Sequence, residues 1–157
     1  SKKHIMNIDS IRIPYNYHTL KYPSHPQAKT SQYGNGKQRE IWMPNPLGAK
    51  PKDVIEIPTT CNGMGEKTPH PTQKPEELLR KIILASSNEN DIVLDPFVGS
   101  GTTAVCAKQL NRQFIGVEQN EEYLKWAIDR LIQVRQKTVQ EWIDYDKAIC
   151  ARRETIR

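Results

Sequence analysis

Two acids and two glycines are the residues of this chain best placed to do chemistry. Asp95 follows the apolar run Ile92-Val93-Leu94, and Glu118 follows Phe114-Ile115-Gly116-Val117. Gly99 and Gly101 stand just beyond Asp95. Short β-branched apolar runs read as buried strands. The glycines permit positive φ and let a ligand approach the backbone closely. After them, Thr102 to Leu110 continues as a helix, with Ala104, Val105, Ala107 and Leu110 available for packing. Strand, glycine turn, helix is the opening of a nucleotide-binding α/β unit.

The acid selects among nucleotides. Gly99-Ser100-Gly101-Thr102-Thr103-Ala104 also satisfies a loose G-x-G-x-x-A dinucleotide pattern. A pyrophosphate there would lie near the Asp95 carboxylate, which is unfavourable without a cation between them. S-adenosylmethionine has no phosphate and brings a positive sulfonium and ammonium, so it suits the acid better. Glu118, at the second strand tip, is placed to accept hydrogen bonds from ribose hydroxyls. The plain alternative is a helix-capping acid and a satisfied strand-end acid with no ligand.

The elements that must position these residues follow from pattern. His70-Pro71-Thr72-Gln73-Lys74-Pro75 precedes a helix. Pro75 suits its first turn, Glu76 and Glu77 complement its positive end, and Leu78, Leu79, Ile82 and Ile83 form the apolar stripe. Ser86 to Asn90 closes it and feeds the Asp91 strand. Glu121 to about Arg135 reads as another helix with Tyr123, Leu124, Ala127, Ile128 and Leu131 inward. Val139, Trp142, Ile143 and Ile149 continue the helical spacing, so 136–157 is expected to be a helical tail. Upstream, prolines and glycines punctuate residues 14–58 and make regular structure sparse. Short strands are expected at Ser10–Ile13 and Val54–Ile57, a mobile loop at Ser24–Gly36, and a flexible turn at Asn62–Gly65.

Composition narrows the class. The 157 residues normally make one domain, here divided into a loop-rich basic segment (1–69), an α/β part (70–135) and the tail. Residues 1–69 hold ten bases against five acids, which accounts for the whole net charge of +5. That half is a candidate nucleic-acid surface or, equally, a solvated extension. No apolar run is long enough to span a membrane and no signal-peptide pattern appears, so a cytoplasmic location is expected. Cys61, Cys106 and Cys150 are scattered, without metal-ligand spacing, as are the four histidines, and no metal site is expected.

Three ordered motifs, His70–Pro75, Asp95–Thr103 and Gly116-Val117-Glu118 with Glu122-Tyr123, closely resemble the carboxyl-terminal part of the DNA amino-methyltransferases of restriction–modification systems. The order is similar to that of the permuted class, in which the catalytic motif comes first and the cofactor motifs last. The resemblance spans about residues 5–132 and is most specific over 70–131. It implies an α/β fold, part of a Rossmann-like S-adenosylmethionine-dependent methyltransferase sheet with a loop-rich N-terminal segment. It further implies that Thr72 and Lys74, with the backbone near His70, hold the methionine carboxylate. Asp95 and Phe97, with Gly99, Ser100, Gly101 and Thr102 at the turn, would surround the methionine moiety and sulfonium. Glu118 would take the ribose hydroxyls, and Gln119 would lie beside the adenine.

One departure is as informative as the matches. The family's catalytic tetrapeptide is Asp, Asn or Ser followed by Pro-Pro and an aromatic residue, and this chain has no adjacent prolines. Asp95-Pro96-Phe97 begins the cofactor turn and is not a substitute, so no catalytic residue is assigned. Two or three strands also bury too little to stand alone. The expectation is therefore the carboxyl-terminal portion of a larger or two-chain enzyme that methylates double-stranded DNA. Its target would be the exocyclic amine of adenine at N6, or alternatively cytosine at N4. The rivals are a non-catalytic S-adenosylmethionine- or DNA-binding subunit that completes a partner, an RNA methyltransferase, and a dinucleotide oxidoreductase fragment.

Overall fold

The computed structural model describes residues 4–27, 40–134 and Glu141. After a single 3-10 turn at Ile8–Ile11 come α1 (Tyr17–Lys21), α2 (Glu76–Ser86), β1 (Ile92–Asp95), α3 (Thr102–Gln109), β2 (Gln113–Gly116) and α4 (Glu121–Gln133). The two strands pair in parallel, with Ile92 opposite Gln113 and Asp95 opposite Gly116. Parallel neighbours need a crossover, and α3 supplies it. Asn90 and Asn111 take left-handed backbone just before each strand, a conformation asparagine tolerates better than most residues.

One face of this sheet is covered. Ile83 of α2 meets Cys106, Ala107 and Leu110, with Leu79, Leu84 and Val93 packed around them. The small residues of α3, Ala104, Cys106 and Ala107, let the neighbouring helices and the sheet approach closely, so that helix is buried on nearly every side. Burial pushes the Cys106 thiol far above its ordinary range, and its Sγ donates to the Glu76 carbonyl at 3.4 Å. It is packing, not a nucleophile.

Among the described residues, the opposite face is bare. Ile92 and Leu94 of β1, with Ile115 and Val117 on the second strand and its continuation, are each more than half exposed. Their alternation with Val93, which points into the core, follows from the two-residue period of a strand.

Residues 4–27 and 40–69 are tied to this frame by hydrogen bonds, those of Asn7 and Gln73 among them. Asn7 donates its backbone N–H to the Ala85 carbonyl and its side-chain amide to the Leu84 and Ser87 carbonyls, closing the carboxyl end of α2. Isolated antiparallel bridges join Ile13 to Ala49 and His25 to Trp42.

Several expectations are corrected. Ser10–Ile13 is not a strand, because the Ser10 N–H and hydroxyl both donate to the Asn7 carbonyl and wind the chain into the 3-10 turn. Val54–Ile57 forms no strand either: Val54 and Ile55 are exposed, and no described strand pairs with the segment. The short α1 was not anticipated; Asn16 caps it by accepting the Thr19 N–H. On α4 only Ala127 is buried, while Leu124 and Ile128 face outward, since that helix docks along α3 by one narrow edge. The mobile loop expected at Ser24–Gly36 falls mainly, and the helical tail almost wholly, outside the described residues.

Candidate cofactor site at the strand tips

Backbone pairing continues past the strands and holds both acids side by side. The Val117 N–H donates to the Asp95 carbonyl, and the Val98 N–H to the Val117 carbonyl, each at 3.0 Å. Between them the chain turns back through Gly99 (φ +53°) and Gly101 (φ +82°). At Gly101 the choice is forced twice, by the left-handed φ and by α4, whose Ala127 Cβ lies 2.7 Å from where a Cβ would stand.

Both carboxylates engage the turn. Asp95 accepts the Phe97 N–H at 3.0 Å on Oδ1 and the Thr103 hydroxyl at 2.5 Å on Oδ2, tying the strand tip to the first turn of α3. Glu118 accepts the Gly99 N–H at 2.8 Å and the Asn120 N–H at 2.9 Å. Those hydrogen bonds, Asn120 foremost and then Gly99 and Gln119, hold the Glu118 carboxyl below the usual 4.5, with a smaller contribution from His70. Phe97 is 86% exposed at the mouth of the turn, so it is not core.

The His70–Pro75 loop closes one side. His70 Nε2 stands 3.0 Å from the position a Cβ on Gly99 would occupy. The imidazole meets the Tyr123 ring edge-on at 4.3 Å, and Tyr123 stacks on Trp126. His70 Nδ1 accepts the Thr72 N–H at 3.2 Å. Thr72 and Lys74 are exposed on this loop, as is Gln119 beyond Glu118. Ser100 and Thr102 are buried, and their side chains meet Arg130 of α4 behind the turn. His70, Asp95, Gly99 and Glu118 are therefore gathered around one turn, with Phe97 at its mouth. Ser100 and Thr102 support that turn from within the protein.

Sequence reasoning passed over several residues that shape this site. Gln73 is buried and pins the loop: its Oε1 accepts the Thr68 N–H and hydroxyl, and its Nε2 donates to the Glu66 carbonyl. Thr103 holds Asp95. Tyr123 and Trp126 wall the His70 side, spaced to share one helical face, a signal that was available. Arg130 gave none, since its partners are remote in sequence.

Glu118 carries a pH dependence whose sign follows from its hydrogen bonds. Its carboxyl is held below 4.5 in the folded chain, so the stabilisation is fully present above that value. It is lost as pH falls through the lower folded value. Glu118→Gln should flatten this portion of the acid limb when urea midpoints are followed from about pH 6 to about pH 3. Parallel curves for variant and parent throughout would mean that these hydrogen bonds are not coupled to folding.

A family model described as DNA methylase matches residues 1–129. Type II methyltransferase M1.MboII from Moraxella bovis is 42% identical over 133 residues, 81% of this chain and 48% of that protein. DNA adenine methyltransferase YhdJ from Escherichia coli (strain K12) is 54% identical over 81 residues, 52% of this chain and 28% of that one. The crystal structure of the M1.HpyAVI–SAM complex covers 40% of this chain and 32% of its own at 56% identity, with a TM-score of 0.39. The chain thus spans half or less of the length of these relatives. By a match that takes in most of its residues, it belongs to the DNA methylase family.

Proposed function

We propose that residues 70–135 hold S-adenosylmethionine for methyl transfer to the N6 amine of adenine in double-stranded DNA, and that a further polypeptide segment or chain supplies the groups that grip the base. One observation carries the reading: two carboxylates at adjacent strand tips flank a single glycine turn. Such a site favours a ligand with positive charge and hydroxyls over a pyrophosphate.

The chain's own residues then have distinct tasks. The Asp95 carboxylate faces the cationic end of the donor, and Phe97 offers an exposed ring beside it. Glu118 exchanges its Gly99 contact for the ribose hydroxyls. Thr72 and Lys74 take the methionine carboxylate, and Gln119 lies beside the adenine of the cofactor. In the transfer the base nitrogen attacks the methyl carbon in line. S-adenosylmethionine, when bound, would supply the methyl group: a C–N bond would form as the C–S bond breaks with its electron pair going to sulfur, and the amine would release its proton to water. Catalysis is mostly positioning and electrostatics. Adenine is preferred over cytosine N4 because a relative 54% identical over the matched segment is named a DNA adenine methyltransferase.

Two features favour a completing partner: the absence of a Pro-Pro-aromatic tetrapeptide, and the apolar face of Ile92, Leu94, Ile115 and Val117, which is left bare among the described residues. A parallel sheet is stable when both faces are covered. The basic segment 1–69 contributes contacts to DNA phosphates, and the protein works in the cytoplasm. Among the described residues no helix is long and apolar enough to cross a membrane.

The test is a titration with S-adenosylmethionine, followed by an assay of labelled-methyl transfer to duplex DNA. The chain should bind donor alone, and transfer should require a second polypeptide bearing the tetrapeptide. Stabilisation by a nicotinamide dinucleotide but not by S-adenosylmethionine would overturn the assignment. Full transfer by the chain alone would overturn the need for a partner.

A further inference from the structure

One side chain outside the three motifs joins the glycine turn to the residue that follows the His70–Pro75 loop. Arg130, in the last turn of α4, donates from Nη1 to the Ser100 carbonyl at 2.8 Å and to the Thr102 hydroxyl at 3.1 Å. From Nη2 it donates to Glu76 Oε1 at 2.7 Å. Glu76 opens α2 directly after the His70–Pro75 loop. Its N–H donates to Glu66 Oε2 at 2.8 Å, and its second oxygen accepts from Gln109 Nε2 of α3 at 3.3 Å. The planar fork of a guanidinium can satisfy both sets of acceptors at once, which an ammonium cannot.

The Ser100–Gly101 peptide lies in a segment with glycine at 99 and 101, where backbone freedom is greatest. Its carbonyl is fixed by Arg130 on one side, and its N–H is fixed by the Val98 carbonyl at 2.9 Å on the other. Ala127, one turn before Arg130, abuts Gly101 and seats α4 against the turn. Without the guanidinium, the Ser100 carbonyl loses its side-chain donor and the peptide is held only through its N–H bond to the Val98 carbonyl. The loop around His70 also loses its tie, through Glu76, to the glycine turn.

We infer that Arg130, paired with Glu76, is a positioning residue for the methyl donor: it fixes the Ser100–Gly101 peptide and the spacing between the glycine turn and the His70–Lys74 loop without touching the donor itself. The inference rests on the donor reading above. The surroundings agree with it. Burial foremost raises the Glu66 carboxyl, the Glu76 N–H bond opposes this, the Glu76 charge raises it further and the Arg130 charge lowers it.

The experiment measures S-adenosylmethionine affinity calorimetrically on the full chain and its Arg130→Gln and Arg130→Lys variants, each well below its own Tm. Amide resonances of Gly99 and Gly101 are followed in parallel. Arg130→Gln should raise the dissociation constant between about tenfold and about a hundredfold and shift the Gly101 amide. Arg130→Lys should recover part of both, since an ammonium can replace one set of contacts. A Gln variant that melts earlier but binds donor with unchanged affinity and an unmoved Gly101 amide would show that the residue only stiffens the fold. A parent chain that fails to bind the donor would sink the donor reading itself, and this inference with it, so the two failures are distinguishable.

Discussion

Replacing Asp95 by Ala should weaken S-adenosylmethionine binding at least about a hundredfold, close to 3 kcal/mol, while leaving the chain folded. The magnitude follows from losing a charged acceptor beside a cationic ligand in a partly enclosed turn. The structure offers a competing explanation, because the same carboxylate holds Thr103 and the Phe97 N–H. Thr103→Val separates the two, since it removes the hydroxyl and keeps the acid. If the charge matters, Thr103→Val should cost less than about tenfold, and Asp95→Asn, which keeps an acceptor without charge, should fall between. Equal losses for Asp95→Ala and Thr103→Val, measured by calorimetry, would assign Asp95 to anchoring α3 and remove it from the donor site.

Gly101→Ala should be the most damaging single methyl addition to the turn, costing about 3 kcal/mol of stability. Two independent penalties combine. The residue sits at φ +82°, and the new Cβ would stand 2.7 Å from the Ala127 Cβ and 2.9 Å from its Cα. The second obstacle is helix backbone, which cannot step aside as a flexible side-chain end can. Gly63→Ala is the control: its φ is +93°, but nothing lies within 4 Å of the added atom, so only the backbone penalty of about 1 kcal/mol remains. Urea unfolding midpoints compare them directly. Equal shifts would mean that α4 yields, and that the turn is not clamped against Ala127.

The contrast between these glycines shows how far the sequence could be read. Left-handed backbone near Gly99 and Gly101 was legible, because a glycine pair after an apolar run and an acid has few other uses. That Ala127 closes on Gly101 was not, because it depends on where α4 lands. The same division runs along α4. Its extent was legible from Glu121 onward, and Asn120 caps it by accepting the Glu122 and Tyr123 N–H groups. Its inward face was misjudged at Leu124 and Ile128, since a helix that docks by one edge leaves part of its apolar stripe outside. At Ser10–Ile13 the apolar alternation suggested a strand, and the local hydrogen bonds of Ser10 outweighed it.

Asp95 and Glu118 were assigned to the site as strand-end acids, and both lie at the glycine turn. Arg130 was missed, although it reaches both the turn and the start of α2. Its contacts to Ser100 and Glu76 cross 30 and 54 residues, and no local pattern encodes such a distance.

By itself, the sequence determined the strand–turn–helix unit, the acid at each strand tip, the ordered family motifs, and the lack of a base-gripping tetrapeptide. Each depends on neighbouring residues: backbone preference, side-chain period and the sign of a nearby charge. Only the tertiary structure decided which carboxylate holds which amide, that Ser100 and Thr102 face Arg130, and that one sheet face stands uncovered among the described residues. Those depend on how separate elements dock, where packing and a few long-range hydrogen bonds choose among arrangements that local preference leaves equal.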